Sequence, residues 1–188
     1  LNSPTIIMST KETQSPSNSW KSCFRPGLFS GKVALVTGGG TGLGRAIALE
    51  LACLGATVVI ASRKEKTCVE TAREINDYIK EQKLLPAGKV VAGPSTSLRK
   101  EEEIVGLIEH IIETYKSLDL LVNNAGGQFL SAAEDISRRG FSAVVETNLL
   151  GTFLMCREAF SQYMQVHGGS IVNITMGVRN GFPQMAHS

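Results

Sequence analysis

Thr37-Gly38-Gly39-Gly40-Thr41-Gly42-Leu43-Gly44 is the stretch that decides the fold. Ahead of it, Lys32 to Thr37 is a short apolar run rich in Val and Leu, which reads as a buried strand. Behind it, Leu43 to Leu54 carries apolar residues at helical spacing and is closed by Gly55. A strand, a glycine turn and a helix in that order form an anion site. Amides at the helix N-terminus point outward, and the helix dipole adds partial positive charge. Glycines are needed because side chains would block the close approach of a pyrophosphate. An ordinary glycine loop could have the same composition; the flanking strand and helix favour the phosphate turn.

Working outward, strand and helix patterns alternate. Thr57 to Ala61 is a second β-branched run. Glu65 to Gln82 is a polar amphipathic helix stopped by Pro86 and Gly88. Lys89 to Ala92 is a third strand, Lys100 to Tyr115 a helix, and Leu118 to Asn123 a fourth strand. Ser137 to Val166 reads as one long helix, and Ser170 to Ile174 as a fifth strand. Apolar strands separated by helices predict an α/β, doubly wound parallel sheet of the Rossmann type. Right-handed crossovers give the order 3-2-1-4-5, with the C-terminal strands of a complete sheet missing. Residues 1–26 are rich in Ser, Thr, Asn and Pro and are expected to be a disordered tail. Residues 27–188 are expected to be an incomplete NADP-binding domain.

The composition excludes several classes. The 188 residues carry a net charge of +2, with Lys and Arg scattered, which argues against a nucleic-acid partner. Apolar runs such as Ala56 to Ala61 fall far short of the roughly 20 residues of a membrane span. Cys23, Cys53, Cys68 and Cys156 form no CxxC pair and no zinc-type spacing with His110, His167 or His187, so no metal site is expected. They read as buried free thiols.

The glycine turn has TGxxxGxG spacing. Together with Asn123-Asn124-Ala125-Gly126 after strand four and Asn148 in the following helix, it resembles the short-chain dehydrogenase/reductase family. The resemblance runs from Gly31 to the end. It implies a nicotinamide cofactor held by Thr37, Gly38, Gly42, Leu43, Gly44, Ser62, Arg63, Ser97, Asn124, Ala125 and Gly126. Ser97 is the counterpart of an Asp or Asn that touches adenine elsewhere in the family.

The end of strand two selects the cofactor. A carboxylate there would bind the ribose 2′-hydroxyl of NADH. This chain has Ala61-Ser62-Arg63-Lys64, with no acid to repel a 2′-phosphate and a guanidinium to clamp it. NADPH is therefore expected, the alternative being that Arg63 and Lys64 are only a solvated helix start.

By the same resemblance, the active site is an Asn, a Ser, a Tyr and a Lys. The Tyr protonates substrate, and a neighbouring Lys lowers its pKa. Asn148 matches the Asn, which holds a water that feeds the Lys. Met176 stands where the Ser is usual, and Thr175 is the nearest hydroxyl. No Tyr follows Tyr163 and no Lys follows Lys116, so that pair is expected beyond Ser188, and the 188 residues alone are expected to be inactive.

Within the family, Gly126-Gly127-Gln128-Phe129-Leu130-Ser131, Gly168-Gly169-Ser170-Ile171-Val172-Asn173-Ile174, Gly181-Phe182-Pro183 and His187-Ser188 resemble the peroxisomal trans-2-enoyl-CoA reductases. That implies NADPH-dependent reduction of the 2,3 double bond of an acyl-CoA thioester in fatty acid metabolism. It also implies a homo-oligomer in the peroxisome, with Gln128 and Phe129 near substrate. A carbonyl (3-oxoacyl or ketone) reductase of the same family, or a non-catalytic NADP-binding fragment, are the alternatives.

Overall fold

The computed structural model describes residues 22–84, 86–177 and 184–187. Most of the expected N-terminal tail, Gly181-Phe182-Pro183 and Ser188 lie outside the described residues. Ser22, within the stretch expected as tail, donates to Glu50 Oε1 (2.5 Å), and the Phe29 N–H donates to the Leu54 carbonyl (2.9 Å).

The elements follow the expected alternation: β1 (Val33–Thr37), α1 (Gly42–Cys53), β2 (Thr57–Ala61), α2 (Glu65–Glu81), β3 (Lys89–Ala92), α3 (Glu101–Tyr115) and β4 (Leu120–Asn123). The long helix expected next is a rod in five parts. α4 (Arg138–Val145), α5 (Gly151–Ala159) and α6 (Gln165–His167) are joined by π-helical turns at Glu146–Leu150 and Phe160–Met164. β5 (Ser170–Asn173) ends the sheet. All strand pairs are parallel, in the order β3-β2-β1-β4-β5.

Alternation along each strand divides the core in two. Ala34, Val36, Val58, Ile60 and Val90 face one side, where α1 and α2 supply Ala48, Ala52, Ala72 and Ile75. Val33, Leu35, Val59 and Leu121 face the other, covered by Ile104, Ile108 and Ile111 of α3 and Leu154 and Met155 of α5. The burial of β1 on both faces explains why its sequence is an unbroken apolar run.

Two of the four cysteines depart from the expectation. Cys53 and Cys68 are buried, and burial pushes the Cys53 thiol up to about 11. Cys23 is exposed and Cys156 half-buried, because neither faces the closed part of the core. No helix among the described residues is long and apolar enough to cross a membrane.

β3 is an edge strand, and α2 covers its outer side. Asn76 donates to the Val90 carbonyl (2.8 Å) and accepts the Val90 N–H (2.9 Å), satisfying both outward groups. Asn76→Ala is expected to lower the unfolding free energy by about 1–3 kcal/mol, with an unchanged m-value in urea unfolding.

Candidate functional site: a cleft at the carboxyl ends of the strands

β1 and β4 end side by side, and one hydroxyl ties them together. Thr37 is buried. Its Oγ1 accepts the N–H groups of Asn124 (3.1 Å) and Ala125 (3.0 Å) and lies 3.4 Å from the Val122 carbonyl, to which it donates. Asn124 returns the contact, its Nδ2 donating to the carbonyls of Thr37 (3.0 Å) and Gly38 (3.4 Å).

Two glycines make this closeness possible. Gly38 has φ +67°, and a Cβ there would lie 3.0 Å from Ala125 Cα. A Cβ on Gly44 would fall on the Gly38 carbonyl and Asn124 Nδ2. The turn is also tied to the other layers: the Gly38 N–H donates to the Ala61 carbonyl (2.8 Å), and the Thr71 hydroxyl of α2 to the Gly40 carbonyl (2.7 Å).

α1 then begins uncapped. Thr41 occupies the N-cap in an extended conformation, its side chain makes no capping bond, and the first turn contains no acidic residue. The amides there have no side-chain acceptor, which suits an anion.

A cleft of about 340 Å³ opens over this turn. Of the residues expected to hold the cofactor, Thr37, Gly38, Gly42, Leu43, Ser62, Arg63, Ser97, Asn124, Ala125 and Gly126 all line it. Gly44 lies beneath the turn. Thr96, Leu98, Arg99, Leu107 and Thr147 also line it, and the sequence reading did not include them. Leu98 was the available signal, as the one large apolar residue after β3 in a run of Ser and Thr.

The lining holds two arginines, Arg63 and Arg99, and no carboxylate. Arg99 Nε donates to Glu146 Oε2 (2.7 Å), joining the loop after β3 to the first π turn. Ser97 is partly committed: its N–H donates to Glu103 Oε2 (2.7 Å), and its hydroxyl lies 3.4 Å from the Arg99 N–H. Lys100 and the Ser97 N–H hold the Glu103 carboxyl below the usual range. The Ser62 hydroxyl accepts the Lys64 N–H (3.1 Å) and touches the buried Cys68 Sγ (3.3 Å).

The expected catalytic residues sit elsewhere. Asn148 lies in the first π turn and clamps Gly127, accepting its N–H (3.0 Å) and donating to its carbonyl (3.1 Å). This resolves why a poor helix former occupies the rod. Thr175 and Met176 are exposed beyond β5 and Gln128 is exposed beyond β4, and neither Asn148 nor Thr175 lines the cleft. Phe129 stacks on His187, with ring centroids 4.4 Å apart and planes at 25°.

Comparison with known proteins gives this geometry a family. Residues 32–187 match the short chain dehydrogenase family. The chain belongs to that family. A peroxisomal 2,4-dienoyl-CoA reductase of Danio rerio, whose name specifies (3E)-enoyl-CoA as product, is 34% identical over 170 residues, covering 89% of this chain and 54% of the relative. The citronellol catabolism dehydrogenase of Pseudomonas aeruginosa PAO1 superposes with a TM-score of 0.80 at 42% identity, covering 89% of this chain and 65% of that one. A metagenomic short-chain oxidoreductase in complex with NADP gives 0.75 at 28% identity, covering 85% of this chain and 69% of that one. The chain spans about half the length of the curated relatives it matches.

Thr37→Val is the sharpest probe of the short-chain dehydrogenase cleft. It preserves shape but removes the acceptor of two N–H groups. It is expected to cost about 1–3 kcal/mol in urea unfolding, with a matching loss of dinucleotide affinity in a direct titration.

Proposed function

We propose that the protein is an NADPH-dependent reductase of unsaturated fatty acyl-CoA thioesters, reducing the 2,3 double bond of a trans-2-enoyl-CoA. The observation that carries the cofactor assignment is the cleft lining: an uncapped helix N-terminus beneath it, two arginines on it and no carboxylate. These groups fit a dinucleotide with a 2′-phosphate. The amides at the start of α1 would take the pyrophosphate, and the Arg63 guanidinium the 2′-phosphate. When bound, NADPH supplies the hydride, which goes to the β-carbon of the thioester, while a proton goes to the α-carbon.

This chain's own residues orient and exclude. Asn148 fixes Gly127 and with it the loop that leads to Gln128 and Phe129. After that clamp, the Asn148 amide retains one lone pair on Oδ1 and one hydrogen on Nδ2. Either could hold the water that the family resemblance assigns to this position. The family resemblance assigns the proton donor to a Tyr with a neighbouring Lys.

The curated relatives favour a second reading within the same class, a 2,4-dienoyl-CoA as substrate, because that is the activity in their names. The same names support a peroxisomal setting.

The test uses the intact protein with NADPH, offered crotonyl-CoA, a 2,4-dienoyl-CoA and acetoacetyl-CoA in parallel. Turnover of crotonyl-CoA supports the first reading, turnover of the dienoyl thioester alone the second, and turnover of acetoacetyl-CoA alone overturns both. Arg63→Ala is expected to weaken NADPH binding roughly tenfold to a hundredfold and leave NADH binding unchanged. An unchanged NADPH/NADH ratio would refute the cofactor assignment.

A further inference from the structure

The ladder between β2 and β3 continues past the end of both strands. The Gly93 N–H donates to the Ile60 carbonyl (2.9 Å), and the Thr96 N–H to the Ser62 carbonyl (3.1 Å). The next rung is made by a side chain: the Ser95 hydroxyl donates to the Arg63 carbonyl (3.2 Å).

The segment that provides these rungs is stiff. Pro94 has a fixed φ, and the Thr96 hydroxyl folds back to donate to the Pro94 carbonyl (2.9 Å). Thr96 is buried. On the other flank of Arg63, the Ser62 hydroxyl accepts the Lys64 N–H and closes a short turn. The Arg63 backbone is thus held from both sides. Its side chain is exposed and, among the described residues, joins no ion pair. Ser95 itself does not line the cleft.

We propose that Ser95 is a positioning residue for nicotinamide specificity: it fixes the Arg63 backbone so that the guanidinium is presented to the 2′-phosphate, favouring NADPH without touching the nucleotide. The inference rests on the NADPH reading above. A long cationic side chain loses freedom when it clamps a phosphate, and a backbone already fixed leaves less to lose. NADH offers Arg63 no phosphate at that point, so its affinity has no stake in the Ser95 bond.

The experiment compares Ser95→Ala, Ser95→Thr, Arg63→Ala and the double variant Ser95→Ala/Arg63→Ala in the intact protein, titrating NADPH and NADH separately. Ser95→Ala is expected to weaken NADPH binding roughly threefold to tenfold, with NADH affinity and melting temperature unchanged. Ser95→Thr keeps the hydroxyl and is expected to retain most of the preference. Added to Arg63→Ala, the Ser95 change is expected to have no further effect. Equal weakening of both nucleotides, no weakening, or the same loss in the Arg63→Ala background would overturn the inference while leaving the NADPH reading intact. An unchanged ratio in Arg63→Ala alone would overturn that reading and this inference with it.

Discussion

The buried Thr37 hydroxyl is the constraint on which the rest of the site depends. It is one acceptor serving two backbone donors at the place where β1 and β4 both end. In a parallel sheet, the ladder cannot satisfy every group at the strand ends, because the chains there diverge into loops. Thr37 takes over that function for β4, and Asn124 takes it over for β1. The result is two loops locked at a fixed separation with a helix N-terminus between them. A dinucleotide cleft needs such rigidity, since its phosphates contact backbone and tolerate little displacement.

The same logic extends outward in two directions. Toward β5, Asn148 replaces the missing sheet partners of Gly127. A regular α-helix would carry this side chain at one fixed phase of the rod, whereas the π turn at Glu146–Leu150 changes that phase. Toward β3, the loop Gly93–Thr96 replaces the missing partners of Ser62 and Arg63. At the ends of β1, β2 and β4, a polar side chain or a stiff loop does what the ladder no longer can.

The sequence made the sheet legible because its central strands, β1, β2 and β4, are covered on both faces. Burial of that kind leaves continuous Val, Ile and Leu runs, and the glycine turn fixed which run came first. The cleft lining was legible where a motif demands a residue type: Gly38 and Gly42 of the turn and Arg63 after β2 all line it. The site was not legible where the residue's partner is backbone. Nothing in Asn148 names Gly127, and nothing in Ser95 names the Arg63 carbonyl. The π turns escaped for a related reason: they alter helix phase by a single residue, which apolar spacing over Ser137 to Val166 averages away. Arg99 escaped because its role as a lining residue depends on an ion pair with Glu146, 47 positions away in sequence.

The two sides of the molecule differ in how firmly they are held, and that difference bears on specificity. The glycine turn is anchored from β4, from α2 and from β2, by bonds that are buried or part-buried. Arg63, in the turn after β2, is exposed, so its guanidinium carries solvent-accessible charge. Contacts of the first kind bind both nicotinamide dinucleotides alike, since the pyrophosphate is common to both. Under the NADPH reading proposed above, contacts of the second kind would tell them apart, and salt would weaken them because exposed charges are screened within about 8–10 Å at ordinary ionic strength. On that reading, affinity for the shared part of the cofactor is a property of the sheet, and discrimination a property of the loop after β2. On the same reading, a bond that stiffens this loop would act on discrimination alone, and a serine outside the cleft would matter to what the cleft selects.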